Sequence, residues 1–376
     1  MTHFTPASIE DLVQIVSSAA ENREALEVFG NGTKRDMGRP VQAEHTLTTA
    51  NLNGISLYEP EELVLSAKAG TPLSQIEALL AENQQQLAFE PPHWGTQTIG
   101  GVVAAGLSGP RRIQAGAVRD HLLGFTAVNG RGEIFKSGGR VVKNVTGYDL
   151  SKLMAGSFGT LAVLSEVTLK VLPQTQARAT LIARGQSPRE SIALMCRALG
   201  MPFDVTGAAW IPNFDNGPVT ALRLEGFAES VADRANSLTR LLGVSVAGVE
   251  FDTFWDSVRD VSALDASPVL WRISVPPSFG AEILEAFPQA KGFLDWGGGL
   301  VWLAMPEDGD CGTAQLRAVV AKIGGHATLM RASEDMRARL EVFQPQPPAL
   351  AALTARVKDS FDPLRIFNPG RMYAGV

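Results

Sequence analysis

The stretch WGTQTIGGVVAAGLSGPRR, residues 94–112, holds five glycines, several small side chains and no acid, and it ends on two arginines. It opens a window, residues 95–160, with fourteen of the chain's 37 glycines and eight Lys/Arg against three Asp/Glu. That window is basic inside a chain of net charge −6. Glycine lets backbone N–H groups approach a ligand closely, and successive N–H groups make an anion-binding nest. Glycines also serve turns and packing, so one such stretch decides nothing. Here the pattern repeats. Gly30-Asn31-Gly32-Thr33, Thr98 to Gly101, Gly116 to Asp120 and Gly156 to Val163 all fall between expected strands. Separate glycine loops beside positive charge predict a site for a long phosphate ester.

Two common phosphate-binding architectures are excluded. GNGTKR has arginine at position 35, where G-x-G-x-x-G requires its third glycine, and the following KRDMGRP is too charged and proline-ended for the packed helix of that fingerprint. No GxxxxGK[ST] occurs. The length, 376 residues, accommodates two domains. Cys196 and Cys311 have no CxxC spacing, which argues against a disulfide framework or zinc site and suits a reducing compartment. Net acidity disfavours nucleic acid and anionic lipid as partners. MTHFTPASIEDL lacks the regions of a signal peptide, and no apolar run approaches the ~18 residues of a membrane span. A cytoplasmic location is expected, with any contact to the inner membrane made through a partner.

Residues 8–20 predict a helix with a Ser8/Asp11 capping box and a buried stripe of Leu12, Ile15, Val16 and Ala19. Thr71-Pro72 opens a second helix with Leu73, Ile76, Leu79 and Leu80 facing inward. Asn129-Gly130 between FTAV and EIFK predicts a hairpin. Residues 161–171 read as a long strand with Leu161, Val163, Val167, Leu169 and Val171 in register. From 174 to 345 helical stretches alternate with short strands, an α+β texture with few glycine clusters. No internal repeat is visible. Residues 344–350, QPQPPAL, link to a last helix and the tail DPLRIFNPGRMYAG.

FGNGTKRDMG, PPHWGTQTIGGVVAAGLSGPRR and GAVRDHLLGFTAVNGRGEIFKSGGRVVKNVTGYDLSKLMAGSFGTLAVLSEVTLKVLP resemble the FAD-binding domain of the p-cresol methylhydroxylase/vanillyl-alcohol oxidase superfamily. FDPLRIFNPGRM resembles its closing motif. Within that superfamily, PPHWG, GLSGPRR, KNVTGYDLSKLMAGS, GGHATLMRAS and SFDPLRIFNPGRMYA are similar to the family of FAD-binding subunits of bacterial glycolate oxidases. The resemblance implies an α+β fold. A two-subdomain FAD-binding domain covers residues 1–173, a smaller α+β domain with a ferredoxin-like sheet covers 174–345, and the tail, 346–376, packs back on the FAD site. It implies FAD with its pyrophosphate on backbone amides. Gly30, Asn31, Gly32 and Thr33 would form the first loop, and Thr98, Gly100 and Gly101 the second. Gly116 and Asp120 would form a turn before the hairpin. Gly159, Thr160 and Val163 would line the adenine or ring side through main-chain atoms, and Asn368 and Arg371 would return toward the flavin ring. Thr33 stands where covalent members often carry histidine, which implies a non-covalent flavin. Two local readings stay open: Asp120 can make an Asx-type bond or pair with Arg119, and Asn368-Pro369-Gly370 can be a turn.

Oxidising a 2-hydroxy acid needs a hydride acceptor, a base for the hydroxyl proton and a cation for the carboxylate. FAD supplies the first. The five histidines, His3, His45, His93, His121 and His326, are scattered, so no metal site can be read from their spacing. His326 is the candidate base and Arg331 the candidate carboxylate anchor. Their i, i+5 spacing puts them on opposite faces of a strand, and a structural role for His326 competes. His93 beside the second glycine loop is either a flavin or partner contact or a polar loop residue. Trp296 and Trp302 fit a core or a partner surface. The resemblance implies a subunit that passes electrons to a second FAD-containing catalytic subunit and an iron–sulfur subunit. The alternatives are a self-sufficient FAD-dependent 2-hydroxy acid or alcohol dehydrogenase, which requires His326 and Arg331 to converge, and a flavin-free scaffold. Two cysteines cannot ligate an iron–sulfur cluster, so any such centre belongs to a partner.

Overall fold

The computed structural model describes residues 1–139 and 148–376, which form two compact units. The RVVKNVTG part of the motif quoted above, residues 140–147, lies outside them. Unit one comprises Met1–Ser108, Gly116–Gln174 and Pro345–Val376, and unit two comprises Gly109–Ala115 and Thr175–Gln344.

The strands of unit one are β1 (His3–Phe4), β2 (Leu26–Phe29), β3 (His45–Thr48), β4 (Ile55–Glu59), β5 (Val64–Lys68), β6 (Gln85–Gln86), β7 (Leu122–Asn129), β8 (Ile134–Gly138), β9 (Ala162–Lys170) and β10 (Leu172–Pro173). A small parallel sheet has the order β1-β3-β2, and an antiparallel one the order β4-β5-β9-β7-β8. The first helix, Ile9–Asn22, starts at the expected capping box: Ser8 Oγ accepts from Asp11 N and Asp11 Oδ2 accepts from Ser8 N. Its buried face is Leu12, Val16 and Ala19, with Ile15 only half-buried. The helix after Pro72 is Leu73–Glu82, with Pro72 in the capping position. Asn129 joins β7 to β8: its Oδ1 accepts from Arg131 N and Glu133 N, which closes a turn longer than the two-residue kind.

Central strand β9 departs from simple alternation. Thr126 pairs with Glu166 but Ala127 pairs with Leu164, so Ser165 is a bulge. The extra residue shifts the phase. Ala162 and Leu164 therefore share a core with Val167 and Leu169, whereas Val163 turns to the other core, with Leu12 and Val16 of the first helix.

The strands of unit two are β11 (Ala177–Arg184), β12 (Val205–Ile211), β13 (Val219–Gly226), β14 (Ser245–Val246), β15 (Val269–Ser274), β16 (Lys291–Asp295), β17 (Leu300–Met305) and β18 (His326–Arg331). They make one sheet in the order β14-β11-β13-β12-β16-β17-β15-β18. Helices Pro188–Leu199 and Ala228–Leu242 divide the first four strands into βαββαβ, and helices Gly280–Ala286 and Thr313–Ile323 do the same for the last four. Each half has the ferredoxin-like order 4-1-3-2, and the halves join where Trp210 of β12 pairs with Leu294 of β16. Unit two is thus duplicated. The repeat is one of topology and leaves no repeated residues, which is why the sequence does not display it. Trp296 and Trp302 are buried within this unit.

Candidate cofactor site

Unit one holds an open cleft. Its walls come from the segment after β2 (Phe29 to Arg35), the helix Ile99–Ala105, the loop Ser157–Gly159 with the start of β9, and Arg371 from the tail. No carboxylate among the described residues lines it. Among the described residues, none accepts from the backbone N–H groups of Asn31, Gly32, Thr33 and Gly159, all of which line the cleft. Backbone donors left without acceptors are costly unless a ligand or water takes them.

The first loop is held open by its surroundings. Thr48 Oγ1 donates to Gly30 O at 2.6 Å, and Asn31 Nδ2 donates to Thr96 O at 2.8 Å. A Cβ at Gly30 would collide with Thr98 Oγ1. Gly32 has φ +78°, a left-handed conformation that favours glycine.

Gly100 and Gly101 act differently from expectation. Ile99 N donates to Thr71 O, Gly100 N to Ala69 O and Gly101 N to Thr98 Oγ1. These N–H groups are already used within the protein. A Cβ at Gly100 would lie 2.7 Å from Ala69 Cβ, so this glycine lets the helix sit directly on the end of β5. Thr98, Gly100 and Gly101 still border the cleft, but they shape it and do not offer it N–H donors.

Three cations reach the cleft. Arg35 forks onto Glu27, with Nε 2.8 Å from Oε1. Arg371 is nearly buried and donates from Nη2 to Lys34 O at 2.7 Å and Arg35 O at 3.2 Å, with Glu27 Oε1 3.8 Å from Nη1. Lys34 has no carboxylate partner among the described residues. Its Nζ donates to Gln97 Oε1 at 2.5 Å, and Gln97 is itself fixed on Pro92 O. Burial pushes the Lys34 ammonium down to about 8. Sequence reasoning missed Lys34, although it directly follows the first glycine loop.

Five expected cofactor contacts, Gly116, Asp120, Thr160, Val163 and Asn368, are not on the lining of the cleft. Asn368, at φ +44°, is buried and does not border the cleft. Its Oδ1 accepts from Val28 N at 2.8 Å, and its Nδ2 donates to Val28 O at 3.1 Å and Phe158 O at 2.8 Å. Both Nδ2 hydrogens are thus committed to main-chain carbonyls, and no Nδ2 donor is left for flavin heteroatoms. Asp120 Oδ2 accepts from Ala117 N at 2.9 Å, and its Oδ1 lies 4.0 Å from Arg119, so the local alternative holds there; Gly116 turns beside it at φ +89°. Val163 faces away because of the Ser165 bulge, leaving Ala162 and Leu164 on the cleft. Thr160 Oγ1 donates to Ser157 O, and its carbonyl accepts from buried Lys358. Gly159, at φ +67°, stays on the lining, and a Cβ there would meet Asn368 Nδ2 at 2.9 Å. His93 pairs with Glu77 at 2.9 Å.

The arginines of the opening stretch belong to unit two. Arg111 forks onto Glu225, Nε to Oε2 at 3.0 Å and Nη2 to Oε1 at 2.8 Å. His326 and Arg331 do not converge. They start and end β18, paired with Ser274 and Leu270, about 16 Å of extended chain apart. Arg331 Nη1 donates to the carbonyls of Leu264, Asp265 and Ser267, so it clamps a turn and is not an open carboxylate anchor. Partial burial, then Arg272, Arg112 and Arg317, hold the His326 pKa below the usual imidazole value.

Open N–H donors, an ammonium with no carboxylate partner and a lining without acids among the described residues fit an anionic diphosphate. A family model described as an FAD binding domain matches residues 3–138. The glycolate oxidase subunit GlcE of Escherichia coli is 38% identical over 96% of this chain and 97% of its own length. The glycolate oxidase subunit GlcD of Bacillus subtilis is 28% identical over 48% of this chain and 38% of its own length. Among solved structures, alkyldihydroxyacetonephosphate synthase superposes with a TM-score of 0.71 over 98% of this chain and 75% of its own, at 16% identity, a likeness of fold alone. On near-complete coverage by a relative of that identity, the chain belongs to the FAD-binding flavoprotein family of the glycolate oxidase subunit GlcE.

Proposed function

We propose that the chain is the FAD-binding subunit of a heteromeric glycolate (2-hydroxy acid) oxidase, passing electrons between its flavin and partner subunits. The observation that carries this reading is the acid-free cleft with its unaccepted N–H groups, in a chain similar to GlcE along its whole length. Bound FAD would supply the hydride and electron chemistry. The Asn31–Thr33 and Gly159 amides would hold its diphosphate, with Lys34 neutralising charge, while Arg371 and Asn368 fix the walls. Thr33 lacks the imidazole that would carry a covalent flavin link. A second FAD-containing subunit would oxidise the substrate, and an iron–sulfur subunit would carry electrons onward. No helix among the described residues is long and apolar enough to cross a membrane, so any attachment to one would come through those partners.

Self-sufficient dehydrogenation required His326 and Arg331 to act together, and their separation along β18 removes that ground. Co-purification of the tagged chain tests the subunit role. The expected result is a flavin-coloured complex that oxidises glycolate, with the chain alone inactive. High glycolate turnover by the isolated chain would overturn it.

A further inference from the structure

Lys34 is held by a residue that does not itself border the cleft. Gln97 is buried and lies outside the lining. It belongs to residues 95–98, which run along the first glycine loop. Asn31 Nδ2 donates to Thr96 O, a Cβ at Gly95 would lie 3.2 Å from Thr33 Cγ2, and a Cβ at Gly30 would collide with Thr98 Oγ1. The Gln97 main chain is fixed on both sides: its N–H donates to Gly95 O at 3.0 Å, and its C=O accepts from Leu73 N at 2.9 Å. The side-chain amide is fixed as well. An ammonium only donates and a carbonyl only accepts, so Oε1 takes Lys34 Nζ at 2.5 Å and Nε2 donates to Pro92 O.

The chemical type of this partner decides what Lys34 can do. An ammonium drawn out of bulk water needs acceptors. A carboxylate in this place would supply one, but it would also cancel the charge toward any other anion. An amide oxygen orients the ammonium and leaves its charge in place. The other contact of Nζ is weak, Thr33 Oγ1 at 3.5 Å. Beyond Arg35, Glu27 and Arg371, the elements around Lys34 carry Asp36 and the His93–Glu77 pair. Burial alone accounts for the lowered ammonium.

We infer that Gln97 is a positioning residue for the cofactor: a neutral acceptor, fixed from behind by Pro92, that holds the Lys34 ammonium at the cleft without neutralising it, so that its charge serves the diphosphate of FAD. That the charge serves the diphosphate rests on the function proposed above, whereas the placement of Lys34 by Gln97 rests on these hydrogen bonds alone.

The test is a double-mutant cycle on the full-length, flavin-stripped chain, read as FAD affinity by fluorescence titration from pH 6 to 9.5. Q97M should weaken FAD binding roughly fivefold at pH 7 in the native chain and less than about twofold in the K34M chain. The fall in affinity at high pH should begin lower in Q97M, which removes the acceptor, and higher in Q97E, whose carboxylate favours the ammonium. Q97E should bind FAD more weakly than the native chain at pH 7 all the same, because its carboxylate pairs with Lys34. If Q97M does not fold, the near-isosteric Q97E carries the test through its pH profile. A role in loop packing alone would weaken binding equally with and without Lys34 and leave the pH profile where it was, and either result would overturn the inference. K34M separates the two readings. Unchanged FAD affinity in K34M would overturn both the diphosphate role of Lys34 and the inference. Weakening by K34M with no coupling to position 97 would sink the inference and leave the proposed function standing.

Discussion

Asn368 grips Val28 at both ends of one peptide edge, accepting from its N–H at 2.8 Å and donating to its C=O at 3.1 Å, across 340 residues of chain. The same amide holds Phe158 O. One tail residue thus fixes two walls of the cofactor cleft, the end of β2 and the loop before β9. N368A leaves one buried N–H and two carbonyls unsatisfied and should cost about 3 kcal/mol of unit-one stability. N368D keeps the shape but sets oxygen against oxygen and should be no better. Thermal melting checks the stability, and FAD titration checks the expected loss of affinity. Native FAD affinity in a stable N368A protein would contradict this positioning role.

Lys34 should govern the pH dependence of FAD binding. Its ammonium, lowered to about 8 by burial, is charged at neutral pH and lost above that value. The charged groups facing it are Arg35, paired with Glu27, and Arg371, whose Nη2 holds Lys34 O. An anionic ligand favours the protonated form, so affinity should be level below pH 8 and fall as pH rises beyond it. K34M should weaken binding about tenfold at pH 7 and flatten the profile. Fluorescence titrations of FAD from pH 6 to 9.5 give both readouts.

Arg111 and Glu225 stabilise unit two in a pH-dependent way. Burial alone would raise the Glu225 pKa, but the Arg111 hydrogen bonds and the charges of Arg223 and Arg111 bring it down to about 2, against an ordinary value of 4.5. A depressed carboxylate pKa contributes stability that is fully present above 4.5 and lost as pH falls toward 2. The contribution is about 3 kcal/mol. Denaturant unfolding of the native chain and E225Q between pH 2 and 6 should show the native chain losing more stability on acidification.

Lys358 and Asp362 form a fully buried pair, 2.8 Å apart, with Lys358 also donating to Thr160 O and Phe367 O. Asp362 in turn accepts from Ile366 N and Phe367 N. K358M strands that carboxylate and should destabilise unit one by about 4 kcal/mol. Urea unfolding measures it, and a change below 1 kcal/mol would show that the pair does not hold the tail.

Much of this was legible because local chemistry decided it. The Ser8/Asp11 cap, the stripe of Leu12, Val16 and Ala19, and the Asn129 turn all depend on neighbours within a few residues. Of the residues named from the glycine loops, Gly30, Asn31, Gly32, Thr33 and Gly159 line the cleft. What failed were details fixed at long range. A single bulge at Ser165, invisible in the spacing, turned Val163 away from the cleft. Gly100 looked like an open donor, but Ala69 takes its N–H. The positive charge at the end of the opening stretch looked available to the glycine loops, but Arg111 is forked onto Glu225, 114 residues away. The duplication of unit two preserves strand and helix order while the residues diverge, so only pairing reveals it.

The central claim is that backbone amides and one uncompensated lysine in unit one seat FAD. Equilibrium titration of the purified, flavin-stripped chain with FAD tests it most directly, followed by the flavin absorbance bands. The account predicts one FAD per chain, released on denaturation, with affinity reduced by K34M. A folded chain that takes up no FAD would contradict it.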